Sequence, residues 1–177
     1  IAILLNDASF EQDIRELLMA FYPGETFTHK EEKAGEAELI VRGVRDGNSF
    51  SLDVTPVRKE AVHFALIYPD FSNRFETKNE IKQTLYRLLS AQTGKELPWG
   101  TLTGIRPTKI AYGMLEEGKS RQEILDFYRE KHQVSTEKAE LAFDIAERER
   151  QLLSGIHYEK GYSLYIGIPF CPTTCLY

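Results

Sequence analysis

Between Leu39 and Val54, apolar residues recur on both sides of an Asp46-Gly47 pair. Leu39, Val41 and Val44 precede the pair. Phe50, Leu52 and Val54 follow it, interleaved with Ser51, Asp53 and Thr55. A period of two puts successive side chains on opposite faces of a strand, and Asp-Gly supplies the positive φ of a tight hairpin turn. The segment is expected to form a β-hairpin with one buried face, which other elements must cover.

The flanking residues supply candidate covers. Ile1 to Leu5 is an apolar, strand-like run. Ser9 stands three residues before Gln12, a capping-box spacing, and Phe10, Ile14, Leu17, Leu18 and Phe21 then recur at helical spacing until Pro23-Gly24 stops the helix. Residues 26–36 are polar and read as a loop or weak edge strand. The order over 1–57 is β-α-β-β, expected to be half of a ferredoxin-like α+β layer. Ala61 to Tyr68 fits a strand and a helix equally well.

Beyond residue 70 the pattern is helical. Thr77 and Glu80 have capping-box spacing, Ile81, Leu85, Leu88 and Leu89 form a stripe, and Gly94 suits a helix stop. After the irregular stretch Leu97 to Arg106, Pro107 opens a helix through Ile110, Met114 and Leu115 that ends at Gly118. Ser120 and Glu123 cap the next, which carries Ile124, Phe127 and Tyr128. A last helix runs from about Ser135 to Ser154 with Leu141, Ala142, Ile145, Ala146 and Leu152 as its stripe, closed by Gly155. Leu164, Ile166 and Ile168 with Tyr165 make the run Tyr162–Ile168 apolar on both faces, as in a parallel strand covered on both sides. The expected units are an α+β domain over 1–70, a helical segment over 71–156, and a further unit starting in 157–177.

The formal charge of -5 gives no basic field for nucleic acid. No apolar stretch reaches the roughly 18–20 residues that span a bilayer. Both ends read as a cut: the chain starts at Ile1 inside a strand-like run and stops within a motif. With only two cysteines, a disulfide framework is not expected, and a reducing cytoplasm is the expected compartment.

Those cysteines, Cys171 and Cys175, lie four positions apart after the apolar run. Pro169 and Pro172 flank the first, so irregular backbone presents the thiols. Alone they fit a reactive pair, half of a zinc site, core thiols or part of an iron–sulfur site. His29, His63, His132 and His157 are scattered, and His63 reads as a core or interface residue. Glu147 to Arg150 read as a solvated helix face. In Trp99, Thr103, Gly104, Arg106 and Lys109 the loop offers two cations near a helix start, an anion site in outline. The structural alternative has Trp99 anchoring the loop and Arg106 paired with a carboxylate.

The run Leu164-Tyr165-Ile166-Gly167-Ile168-Pro169-Phe170-Cys171, with Cys175 and Tyr177, resembles the start of the radical S-adenosylmethionine motif Cys-x3-Cys-x2-Cys. Its Tyr-x3-Pro-Phe-Cys character is similar to the oxygen-independent coproporphyrinogen III dehydrogenase family, and Leu97–Lys109 (LPWGTLTGIRPTK) to the HemZ branch of it. The chain departs from the family pattern at Gly167, where members close to the established dehydrogenase usually carry His. The resemblance implies the first strand of a truncated (β/α) barrel after the helical segment. It implies Cys171 and Cys175 as ligands of a [4Fe–4S] cluster, and Tyr165 and Tyr177 as contacts of S-adenosylmethionine. It further implies an electron donor and a porphyrinogen substrate, whose propionates lose carbon dioxide to become vinyl groups in haem biosynthesis. A radical enzyme acting on tRNA or a peptide, a haem-binding or chaperone-like relative, and a zinc protein are the alternatives. The oligomeric state is not legible.

Overall fold

A computed structural model of the protein describes residues 1–57, 62–156, 160–162 and 164–167. Strand β1 (Ala2–Leu5) leads through a one-turn 3-10 segment into helix α1 (Glu11–Phe21), followed by β2 (Leu39–Asp46), β3 (Ser49–Pro56) and β4 (His63–Ile67). The sheet order is β1-β2-β3-β4. β1 runs parallel to β2, and the other two pairings are antiparallel.

The hairpin forms as its alternation requires. Asp46 pairs with Ser49 across Gly47 and Asn48, and Gly47 takes φ 55°. Every second residue of β3 is buried, namely Phe50, Leu52, Val54 and Pro56. β4 settles the ambiguous segment as a strand, because the open edge of β3 supplies its hydrogen-bond partners over 63–67. Residues 26–36 prove to be a loop with a short 3-10 turn at Glu31–Glu36, and Thr28 forms a single parallel bridge with Ala2.

One expectation about topology is corrected. A ferredoxin-like half splits its βαβ unit, with another strand between the first two. Here Ala2 to Leu5 bond directly to Ile40 to Gly43, so β1-α1-β2 is an unsplit parallel unit. The architecture is α+β with a four-stranded mixed sheet, without the ferredoxin-like strand order.

Helices α1 and α2 (Arg74–Thr93) cover one face of the sheet. Ile14, Leu17, Leu18 and Phe21 of α1 and Ile81, Leu85 and Leu89 of α2 meet Ile3, Val41, Leu52 and Val54 in one buried cluster. The caps differ from those the spacing suggested. Asp7, not Ser9, caps the first turn, accepting from the Ser9 amide at 3.0 Å. Asn73, not Thr77, caps α2, so that helix starts four residues earlier; Gly94 ends it with φ 70°. Thr77 is buried instead, its hydroxyl donating to Asp70 O at 2.7 Å.

Helices α3 (Thr108–Glu116), α4 (Arg121–His132) and α5 (Thr136–Leu153) build a second cluster around Ala111, Ile124, Tyr128, Ala139, Ala142, Phe143 and Ala146. Ser120 and Glu123 form the full capping box that the spacing foretold. Tyr128 is the largest side chain in this cluster with no exposure. Its hydroxyl donates to Pro107 O at 2.6 Å and accepts from the Ala111 amide at 3.0 Å. Burial pushes its pKa up to about 12, so it remains a donor. Tyr128→Phe strands both backbone groups and is expected to cost about 1–3 kcal/mol, read from the denaturant midpoint.

The run read as a strand at 162–168 is not one over 164–167. Leu164, Tyr165 and Ile166 are exposed and make no strand pairing among the described residues. A strand buried on both faces needs neighbours and covering helices, and nothing in the described sheet or helices reaches it. Among the described residues, no helix is long and apolar enough to cross a membrane.

Candidate functional site

Cys171, Cys175 and Tyr177 lie outside the described residues, as does Ile168. Tyr165 and Gly167 are described. The ring of Tyr165 lies over Gly167 so closely that a Cβ added there would sit 3.0 Å from its Cε1. Any larger residue at 167 has to displace that ring, which is 91% exposed and free to move. Before it in the sequence, the end of α5 is capped by the Ser154 amide on Arg150 O and a turn from the Ile156 amide to Leu153 O at 2.9 Å. Among the described residues, no three His, Cys, Asp or Glu side chains converge on a point that would hold a metal ion.

The loop 97–107 is built as a brace. The Leu97 amide donates to the Tyr86 hydroxyl at 3.0 Å. The Thr101 amide donates to His132 O at 2.8 Å, and the Ser135 amide to Pro98 O at 3.0 Å. Trp99 and Leu102 pack against the helical cluster, so Trp99 is the anchor that the structural alternative expected. Thr103 bridges to the other half of the molecule: it accepts from Lys82 Nζ at 2.7 Å and donates to Glu16 Oε2 at 3.2 Å. Gln12 holds the other oxygen of Glu16 at 3.0 Å, and Lys78 holds the nearly buried Asp13 at 2.8 Å.

The loop thus ties α1 and α2 to the helical part through a polar cluster that residue spacing did not single out. A signal was present: Lys82 follows Ile81 and precedes Leu85, on the buried side of the α2 stripe. Burial lowers the Lys82 pKa, and the carboxylates of Asp13 and Glu16 oppose that shift. Each group has a partner, so the cluster is a structural tie rather than a reaction centre.

Among the described histidines His132 is the buried one, while His63 is half-buried. Its Nδ1 lies 3.3 Å from Thr101 Oγ1, and the Phe127 ring packs on its imidazole. Burial, then the positive charges of Lys82 and Lys131, lowers its pKa from 6.5 to about 4. Between those values the unfolded chain binds a proton that the folded chain refuses, so stability falls as pH falls through that window. Thermal midpoints are expected to drop from pH 7 to pH 4.5, and His132→Gln is expected to flatten that slope. An unchanged slope in the variant would contradict the assignment.

Arg106 and Lys109 stand exposed at the start of α3, and Arg106 makes no ion pair among the described residues. The carboxylate partner expected for Arg106 is therefore not found. Arg106, Tyr112, Glu149, Leu152 and Leu153 line a groove of about 380 Å³ between the start of α3 and the end of α5. A wider cleft of about 910 Å³ lies between α2 and the start of α5, beside Tyr86, Ser90, Leu97, Gln133 and Ser135.

No family model matches the chain, and no solved structure matches it. The chain is similar to the oxygen-independent coproporphyrinogen-III oxidase-like protein HemZ of Bacillus subtilis, with 35% identity over 119 residues. The match takes in 65% of this chain and 24% of the relative, so the chain spans about a quarter of the length of the curated protein it matches. Over that matched part, the likeness is to a coproporphyrinogen-III oxidase-like protein, and it supports a HemN/HemZ-like relationship for that stretch alone.

Proposed function

We propose that this chain is the N-terminal part of a radical S-adenosylmethionine enzyme of the HemZ type, acting in the cytoplasm with an electron donor. The observation that carries the reading is the 35% identity to HemZ, together with two cysteines set on a proline-flanked segment. Thiolates are the donors that iron–sulfur clusters prefer, and Cys171 and Cys175 fit that chemistry. Two thiolates do not complete the ligand set of a four-iron cluster, so the remaining protein ligand has to come from outside these 177 residues. When bound, the cluster would supply the electron that cleaves S-adenosylmethionine.

This chain's own residues would then do limited things. Cys171 and Cys175 would hold iron. Tyr165 and Tyr177 would flank the bound S-adenosylmethionine. The substrate on this reading is a porphyrinogen whose propionates become vinyl groups. Gly167 favours a second reading, a radical enzyme with another substrate, because the His that dehydrogenases of the family carry is missing there.

Anaerobic reconstitution of the protein expressed from its complete reading frame tests both. Roughly four irons per cluster, a charge-transfer absorption band and reductive cleavage of S-adenosylmethionine are expected. Bound zinc without iron, or iron without cofactor cleavage, would sink the enzyme reading. Cleavage with coproporphyrinogen III left unchanged selects the other substrate.

A further inference from the structure

Helix α5 is apolar on two sides. Ala139, Ala142, Phe143 and Ala146 are buried against α3 and α4. Leu141, Ile145 and Leu152 fall on a different side, within about 40° of one another at 100° per residue. They are 42%, 39% and 71% exposed, and Ile156 just beyond the helix is 59% exposed. This explains why the expected α5 stripe is only half realised: the alanines face inward, and the larger side chains face out. A helix with apolar residues on both sides is built to be covered on both.

The outward stripe meets a groove, and more apolar residues follow it in the sequence. At its C-terminal end Leu152 also lines the groove with Leu153 and Tyr112, where Arg106 stands at the rim. Past Ile156 the chain continues through Tyr162, Leu164, Tyr165 and Ile166, which are 75% to 92% exposed. The apolar surface therefore runs along the helix to the groove, and the sequence that follows carries further exposed apolar residues.

We propose that this surface is the seat of a further domain of the same longer polypeptide, and that the domain lays an apolar ridge along Leu141, Ile145 and Leu152. This rests on the HemZ-type reading. A protein of the relative's length has most of its residues beyond the matched part, which is 24% of it. The cysteine segment follows α5 in the sequence, so the chain that would hold the rest of the cluster site continues after the helix that carries the seat. Arg106 at the rim calls for a carboxylate on the docking domain, since it has no ion pair among the described residues. Docking there would hold the cysteine segment against the body of the protein.

Hydrogen exchange reads the contact directly. Backbone amides of residues 141–156 are compared in the 177-residue chain and in the protein from the complete reading frame. Exchange about tenfold slower or more in the longer protein is expected. Ile145→Glu with Leu152→Glu should abolish that difference while leaving the thermal midpoint of the 177-residue chain unchanged, because both positions are exposed. Arg106→Asp, a milder change, should reduce the protection in part. Equal exchange in the two proteins, protection that survives the double substitution, or protection of the short chain that grows with its own concentration would each overturn the proposal. A reading frame that does not extend past residue 177 would do the same. Iron content and cofactor cleavage are read separately, so loss of the enzyme reading and loss of the docking contact are distinguishable.

Discussion

Gly100→Ala is expected to unfold the helical part of the chain. Gly100 has φ 54°, a conformation that costs an L residue about 1 kcal/mol on its own. The larger effect is steric. A Cβ at this position would lie 1.9 Å from His132 O and 2.6 Å from the carbonyl carbon of Gln133. Both are backbone atoms at the corner between α4 and α5, and both neighbours are pinned. His132 O accepts from the Thr101 amide at 2.8 Å, and Ser135 is tied to Pro98 at 3.0 Å. Relief requires the brace to separate from the corner, with loss of those bonds and of the Trp99 packing. The expected cost is about 3–5 kcal/mol, in the range kept for strain and overpacking at a site that cannot relax.

Gly104→Ala is the matched comparison. Gly104 also has positive φ, 69°, but its Cβ would meet the carboxylate end of Glu16 at 3.2 Å, a side chain that can shift. About 1 kcal/mol is expected there. Circular dichroism with denaturant unfolding separates the two, and similar midpoints for both variants would show that the corner yields.

Cys171→Ala and Cys175→Ala are expected to abolish cluster assembly in the protein from the complete reading frame. Each removes one thiolate from a ligand set that is already minimal, and a cluster held by two protein ligands is not retained. Iron and acid-labile sulfide should fall to background in either variant, and reductive cleavage of S-adenosylmethionine should be lost with them. Full iron content in either variant would remove Cys171 and Cys175 from the ligand set. Tyr165→Phe is expected to keep the iron, and a changed affinity for S-adenosylmethionine would support its assigned place.

Much of the fold was legible residue by residue. The hairpin was, because a two-residue period and a turn glycine are local properties that no distant contact overrides. So was the α4 capping box, in which Ser120 and Glu123 satisfy each other's backbone amides within one turn. The α2 cap was misplaced because Thr77 matches a cap in composition, while its hydroxyl is taken up by Asp70 O. Over 164–167 the strand read at 162–168 finds no partner among the described residues, because an apolar run states only that a segment seeks burial, not that partners are at hand.

The site divides along the same line. Cys171, Cys175 and the LPWGTLTG stretch were read from order and spacing, and the sequence alone carried the likeness to HemZ. It also determined the hairpin and the order of the helices, since period, capping and turn chemistry act within a few residues. Only the tertiary structure decided that β1 lies beside β2. It alone showed that Thr103 of the loop joins both Lys82 on α2 and Glu16 on α1, that burial holds His132 neutral, and that α5 keeps a second apolar side uncovered. Each of these depends on which residues distant in the chain come within a few ångströms, and on how much water the packing removes from between them.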